Sequence, residues 1–237
     1  MTLFLIINRQ PLDLKKFEQL RTIQQAYATN TNTIRVIEKA TGKTFMAKIF
    51  STNLKYLQPQ VFDRLKKEVQ LITSLSHPLI IKTFGYSYQD FKNKDHLVLI
   101  TENTGKRSLD DIIKLEQHKR QPPKWNDTKK LINLFGIAHG MSYLHHQGIM
   151  HGNLKPSNIY ETNQFYPKIA DFGLFLFKEE EEAAALVLTQ IQGQPFIYDA
   201  PEISKGDYYD FSSDVFSFGM IFFTLFCVKY PSDTDCC

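Results

Sequence analysis

An α+β fold, rich in strands through its first part and in helices through its second, is predicted by three observations. Thr33-Ile34-Arg35-Val36-Ile37-Glu38 and Thr44-Phe45-Met46-Ala47-Lys48-Ile49 are β-prone runs on either side of the turn Thr41-Gly42-Lys43, the pattern of a hairpin. Phe62, Leu65, Val69 and Ile72 recur every three or four residues and lay an apolar stripe on a helix from about Val61 to Leu75. Beyond Asn103 to Lys106 the pattern turns mainly helical, with Leu131, Leu134, Phe135, Ala138, Met141 and Leu144 sharing one helix face.

Taken in order, residues 1–16 read as an N-terminal extension. Its apolar run Leu3 to Ile7 has no basic region before it and falls short of the roughly 7 to 15 apolar residues of a signal-peptide core, so it reads as a surface strand or extension. Residues 17–102 hold the hairpin, the helix that ends before His77-Pro78, and further strand signals at Leu79 to Phe84 and His96 to Thr101. Residues 103–237 hold the helices. Ser108 with Asp111 is a capping-box start, Pro122-Pro123 is a break, and Asn126 caps the longer helix. Glu179 to Glu182, followed by alanines, reads as a solvated loop. Val215 to Val228, interrupted by Ser217 and Thr224, is shorter than the about 20 apolar residues of a membrane span and reads as a core helix.

Bulk properties narrow the partners. With 43% hydrophobic residues in 237, the chain can bury a sizeable core as one bilobed domain or two small ones. A net charge of +3, from 28 basic and 25 acidic residues spread along the chain, gives no reason to expect nucleic acid or an anionic membrane as the main partner. Three cysteines, one in an apolar run and two at Cys236-Cys237, form no paired framework, and a cytoplasmic setting is expected.

Six motifs then follow one another: Met46-Ala47-Lys48-Ile49, Glu68 on the first helix, His151-Gly152-Asn153-Leu154-Lys155-Pro156-Ser157-Asn158, Asp171-Phe172-Gly173, Ala200-Pro201-Glu202, and Asp214-Val215-Phe216-Ser217-Phe218-Gly219. In this order, across roughly Phe17 to Pro231, they resemble the protein kinase superfamily, in a form similar to its tyrosine-kinase-like group. The resemblance implies a bilobed fold with a β-rich N-lobe and a helical C-lobe that stops after the large central helix. It implies ATP and Mg²⁺ as cofactors, with a protein substrate or signalling partner that the sequence does not name. Lys48 corresponds to the lysine on the α- and β-phosphates, Glu68 to the glutamate that pairs with it, and Ala47 to a neighbour in the nucleotide site. Thr101 corresponds to the gatekeeper, Glu102 and Asn103 to the start of the hinge, and Tyr160 to the residue under the adenine. Asn158 and Asp171 correspond to the magnesium ligands. Lys155 matches the loop of the serine/threonine type.

The same alignment exposes departures. Asn153 stands where the family places the catalytic Asp, and an amide cannot take a proton at neutral pH. Gly152 replaces an arginine that grips an activation-loop phosphate, so Thr189 is not expected to be an on-switch. Gln24, Ala26 and Thr29 occupy the three glycine positions of the phosphate-covering loop, which weakens that cradle. Tyr160 replaces a small aliphatic residue. Gln194 replaces the threonine that bonds the catalytic Asp, in a segment from Gly193 to Ala200 that is one residue longer than usual. Glu202 is expected to lack an arginine partner, and part of the Val215 to Val228 face to lie uncovered. The pseudokinase domains of the Janus kinases carry a similar His-Gly-Asn loop. Three readings follow: an impaired pseudokinase with weakened ATP binding, a weakly active serine/threonine kinase, or a truncated product without stable function.

Overall fold

The two β-prone runs become the centre of an antiparallel sheet in the computed structural model, which describes residues 10–20, 24–25, 31–103, 107–174, 197–205 and 210–230. The chain divides into two compact units, one of Met1–Ser76, Lys82–Asn103 and Leu174–Ile191, the other of His77–Ile81, Thr104–Gly173 and Gln192–Cys237.

In the first unit, strands β1 (Phe17–Gln19), β2 (Gln24–Gln25), β3 (Thr31–Glu38), β4 (Thr44–Phe50), β5 (Thr83–Ser87) and β6 (Val98–Glu102) form a six-stranded sheet in the order β1-β3-β4-β6-β5, with β2 also on β3. The predicted hairpin is β3–β4, whose register sets Ile34 against Ala47 and Thr33 against Lys48. Period-two alternation sends Ile34, Val36, Ala47, Val98 and Ile100 into one core with Leu14 and Phe17. Helix α1 (Pro59–Ser74) packs on β5 and buries Leu65, Val69 and Ile72 of the predicted stripe. It begins before Val61 because Pro59 suits a first helical turn, where its missing N–H costs no bond. The strand expected at Leu79 to Phe84 lies later, at Thr83–Ser87.

Leu79 to Ile81 belongs instead to the second unit, where Ile169 N donates to Leu79 O and Ile81 N donates to Ile169 O, both at 2.8 Å. Here α2 (Leu109–Gln117) starts with the predicted capping box: Ser108 Oγ accepts from Asp111 N, and Asp111 Oδ2 accepts from Ser108 N. Asn126 Oδ1 accepts from Lys129 N at 3.0 Å and caps α3 (Asp127–His146). The hairpin β7 (Ile159–Glu161) and β8 (Pro167–Ile169) follows, then α4 (Pro201–Lys205) and α5 (Phe211–Cys227). Leu109, Ile112, Ile137, Leu144, Leu154, Ile159, Ile169 and Ile221 form its core.

The buried seam of α3 differs from the predicted face. Leu134, Met141 and Leu144 are inside, but Leu131 and Phe135 are 48% and 78% exposed, and Ala138 is exposed too. Lys130, Asn133, Gly136, Ile137 and Gly140 take the vacated inner positions. Lys130 can be buried because its Nζ lies 2.6 Å from Glu116 Oε1 of α2. Glu116 Oε2 also accepts from Trp125 Nε1 at 2.9 Å, and the Trp125 ring packs on Phe165. Gly136 is required because a Cβ there would stand 2.5 Å from Cγ of Pro167, a ring with no rotamer to escape into. Gly136→Ala is therefore expected to destabilise the protein by about 1–3 kcal/mol, read from its urea midpoint. An unchanged midpoint would mean that β8 yields freely.

On α5, Ile221 and Leu225 are buried, whereas Val215, Phe222 and Phe226 are 62%, 51% and 41% exposed, so only one side of this apolar helix is core. No described helix is long and apolar enough to cross a membrane.

Candidate active site

The first unit positions its candidate residues by strand register. Ala47, fully buried, faces Ile34 and Ile100 across the sheet, and Lys48 is flanked by Thr33 and Leu99. The Lys48 ammonium lies 5.2 Å from the centroid of the Phe50 ring on the same strand face. Glu68 sits half-buried on α1, on the turn before Val69 and Ile72. Thr101, near the end of β6, is opposite Met46 and Thr83. Glu102 closes that strand: its N–H donates to Lys82 O, and its Oε1 accepts from Lys82 N, both at 2.9 Å. Asn103 Nδ2 donates to Thr44 Oγ1 at 3.1 Å, which ties the segment leaving β6 to the start of β4.

In the second unit the loop 151–158 is built around one carboxylate. Asp214, 2% exposed in the first turn of α5, accepts from His151 N through Oδ2 and from Gly152 N through Oδ1, both at 2.8 Å. His145 Nε2 lies 2.8 Å from the same Oδ2. Two consecutive N–H groups can converge on one carboxylate because Gly152 turns with φ of +65°, a left-handed conformation open to glycine and strained for most other residues. Asp214 is the residue whose role sequence reasoning missed, having treated it only as the start of a helix motif.

From that anchor the remaining groups follow. Asn153 N donates to His151 Nδ1 at 3.3 Å, and Asn153 O accepts from Asn158 Nδ2 at 2.8 Å. The second bond commits the Asn158 amide nitrogen to the loop and leaves its amide oxygen as the candidate donor atom. Lys155 precedes the short turn Pro156–Asn158, and its carbonyl accepts from Asn158 N. Asn158 O in turn accepts from Ala170 N at 2.9 Å, which sets Asp171 one residue beyond the Asn158 backbone. Asp171 is exposed with φ of +61°, and Phe172 beside it is buried with its ring edge-on to His151 at 6.3 Å. An amide oxygen and a carboxylate are hard oxygen donors, a set that fits Mg²⁺ rather than a soft metal.

Tyr160 sits on β7 opposite Lys168, with a backbone bridge to Ser108. Burial, then the charges of Asp171 and Asp111, push its phenol up to about 12, so it stays a neutral ring beside Asp171. Glu202 is not left alone, since its Oε1 accepts from Ser213 Oγ at 2.7 Å. Ser217 Oγ donates to Tyr198 O at 2.7 Å and holds the residues before α4 against α5. Ala26, Thr29, Glu179 to Glu182, Thr189, Gln194 and Cys236-Cys237 lie outside the described residues, and Gln24 is on β2.

The family described as Protein kinase domain matches residues 29–235. A receptor-like kinase of Arabidopsis thaliana is 32% identical over 170 residues, covering 70% of this chain and 26% of the relative. The cysteine-rich receptor-like protein kinase 10 of Oryza sativa subsp. japonica is 31% identical over 165 residues, covering 68% of this chain and 24% of the relative. The inactive leucine-rich repeat receptor-like protein kinase CORYNE of Arabidopsis thaliana is 30% identical over 176 residues, 73% of this chain and 40% of the relative. The chain thus spans well under half the length of these relatives.

Proposed function

The chain belongs to the protein kinase domain family, and from that premise we propose that it is a catalytically impaired, pseudokinase-like member of the tyrosine-kinase-like group that binds ATP weakly and acts in cytoplasmic signalling or scaffolding. The observation that carries this reading is Asn153. Its backbone is engaged at both ends by His151 and Asn158, as a working loop requires, yet its side chain is an amide with no basicity to accept a hydroxyl proton. In this reading residues 17–102 are the N-lobe, 103–237 the C-lobe and 1–16 an extension.

The roles follow the family's chemistry. Lys48, supported by Glu68, contacts the α- and β-phosphates, and Ala47, Thr101, Glu102 and Asn103 line the base. Asn158 and Asp171 hold Mg²⁺, which when bound neutralises charge on the phosphates. Tyr160 presents a phenol ring to the adenine in place of a small aliphatic side chain, which favours weak rather than tight nucleotide binding. The relative described as inactive is compatible with such a role, and the relatives described as kinases support a second reading, a slow serine/threonine kinase. That reading draws on Lys155 and on the Asp214 anchor, which holds the loop in a defined shape.

A thermal melt with and without Mg²⁺-ATP tests the nucleotide part. Ligand at about 100 times its dissociation constant is expected to stabilise the protein by about 2.7 kcal/mol, and Lys48→Ala is expected to reduce that shift. A cooperative melt that does not move at millimolar Mg²⁺-ATP would leave a scaffold without a nucleotide.

A further inference from the structure

The sheet of the first unit has two faces, and Lys48 and Thr101 share one of them. On β4, Phe45, Ala47 and Ile49 alternate toward the core that holds Ile34, Val36, Val98 and Ile100. Met46, Lys48 and Phe50 therefore turn to the opposite face, where the Lys48 ammonium lies over the Phe50 ring. By the same alternation β3 gives that face Thr33 and Arg35, and β6 gives it Leu99 and Thr101.

Strand register sorts these side chains into rows. One row sets Thr33 opposite Lys48 and Lys48 opposite Leu99. The next same-face row, about 7 Å along the strands, sets Arg35 opposite Met46 and Met46 opposite Thr101. A third pairs Ile37 with Thr44, whose hydroxyl accepts from Asn103 Nδ2. Lys48, Thr101 and Asn103 thus mark successive rows, and Arg35 stands in the row of Thr101 rather than that of Lys48.

Arg35 also has an unmet need. The residue is half-buried, and its Nε is buried with no hydrogen-bond partner among the described residues. A guanidinium has only donors to offer, and folded proteins avoid leaving a buried donor without an acceptor. A nucleoside supplies what is missing: its ring nitrogens and ribose oxygens accept hydrogen bonds, and its flat base can stack on the guanidinium plane.

We propose that Arg35 binds the nucleoside end of ATP, its guanidinium meeting the base or the ribose while Met46 beside it offers the base an apolar surface. The proposal rests on the nucleotide reading above and adds to it a second cation with a separate task. Lys48 serves the phosphates; Arg35 serves the nucleoside.

The test is calorimetric titration of the whole chain with Mg²⁺-ATP and, as a probe that has phosphates but no nucleoside, with tripolyphosphate. Arg35→Ala is expected to weaken ATP binding by roughly 10- to 100-fold and to leave tripolyphosphate binding where it was. Lys48→Ala is expected to weaken both. ATP affinity that falls in Lys48→Ala but not in Arg35→Ala would overturn this proposal and leave the nucleotide reading standing. Equal losses for ATP and tripolyphosphate in Arg35→Ala would overturn it as well, by putting Arg35 on the phosphates. No binding of ATP to the unmodified protein would remove the nucleotide reading and this proposal with it. If Arg35→Ala does not fold, Arg35→Met keeps an unbranched stem, removes the donors and must give the same loss.

Discussion

Asn153→Asp is expected to raise phosphate transfer from ATP to a generic serine/threonine substrate by about 10²- to 10⁴-fold, equivalent to about 3–5 kcal/mol of barrier. The substitution is nearly isosteric, and the loop is already shaped to receive it. Its hydrogen bonds to His151 and Asn158 use the Asn153 backbone N–H and carbonyl, which the change leaves in place. What changes is a single group, from an amide that can only orient a hydroxyl to a carboxylate that can also take its proton. Radiolabel transfer measured on both proteins, with Lys48→Ala as the blank, decides the matter. Activity that is high before the change and unmoved by it would remove the pseudokinase reading. Activity absent from both would place the defect elsewhere, at Tyr160 or in nucleotide binding.

Asp214→Ala is expected to be the most destabilising of these changes, by about 3–5 kcal/mol, because it strands two backbone N–H groups and the His145 ring that share one buried carboxylate. Asp214→Asn should cost less, about 2–3 kcal/mol, since one acceptor oxygen survives while its NH₂ is set against an N–H. Chemical denaturation measures both. Equal and small losses would show that the loop 151–158 keeps its shape without the carboxylate. The pair of variants also separates charge from mere occupancy, which Ala alone cannot do.

These expectations differ in how far the sequence foretold them. The β3–β4 hairpin and the caps at Ser108 and Asn126 were legible because each depends on residues within a few positions of one another. The inner seam of α3 was not, because a lysine and an asparagine become core residues only through Glu116 and the β7–β8 hairpin, and apolar periodicity is blind to such partners. Leu79 to Ile81 looks like a strand by composition, yet its pairing is with Ile169, far along the chain. The candidate site divides the same way. Lys48, Asn158 and Asp171 stood out as motif members, whereas the anchoring task of Asp214 needed the loop's path, since its bonded partners lie more than sixty residues earlier.

Trp125 is the only tryptophan in the chain, and it belongs wholly to the helical unit, bonded to Glu116 and packed on Phe165. Indole emission is therefore a private optical channel for that unit, silent about the sheet of Thr31–Glu38 and its neighbours. Calorimetry registers heat from both units alike. Overlaying the two traces counts cooperative transitions with no label attached: coincidence means one, and separation assigns the fluorescent step to the unit carrying Asn153, Asn158 and Asp171.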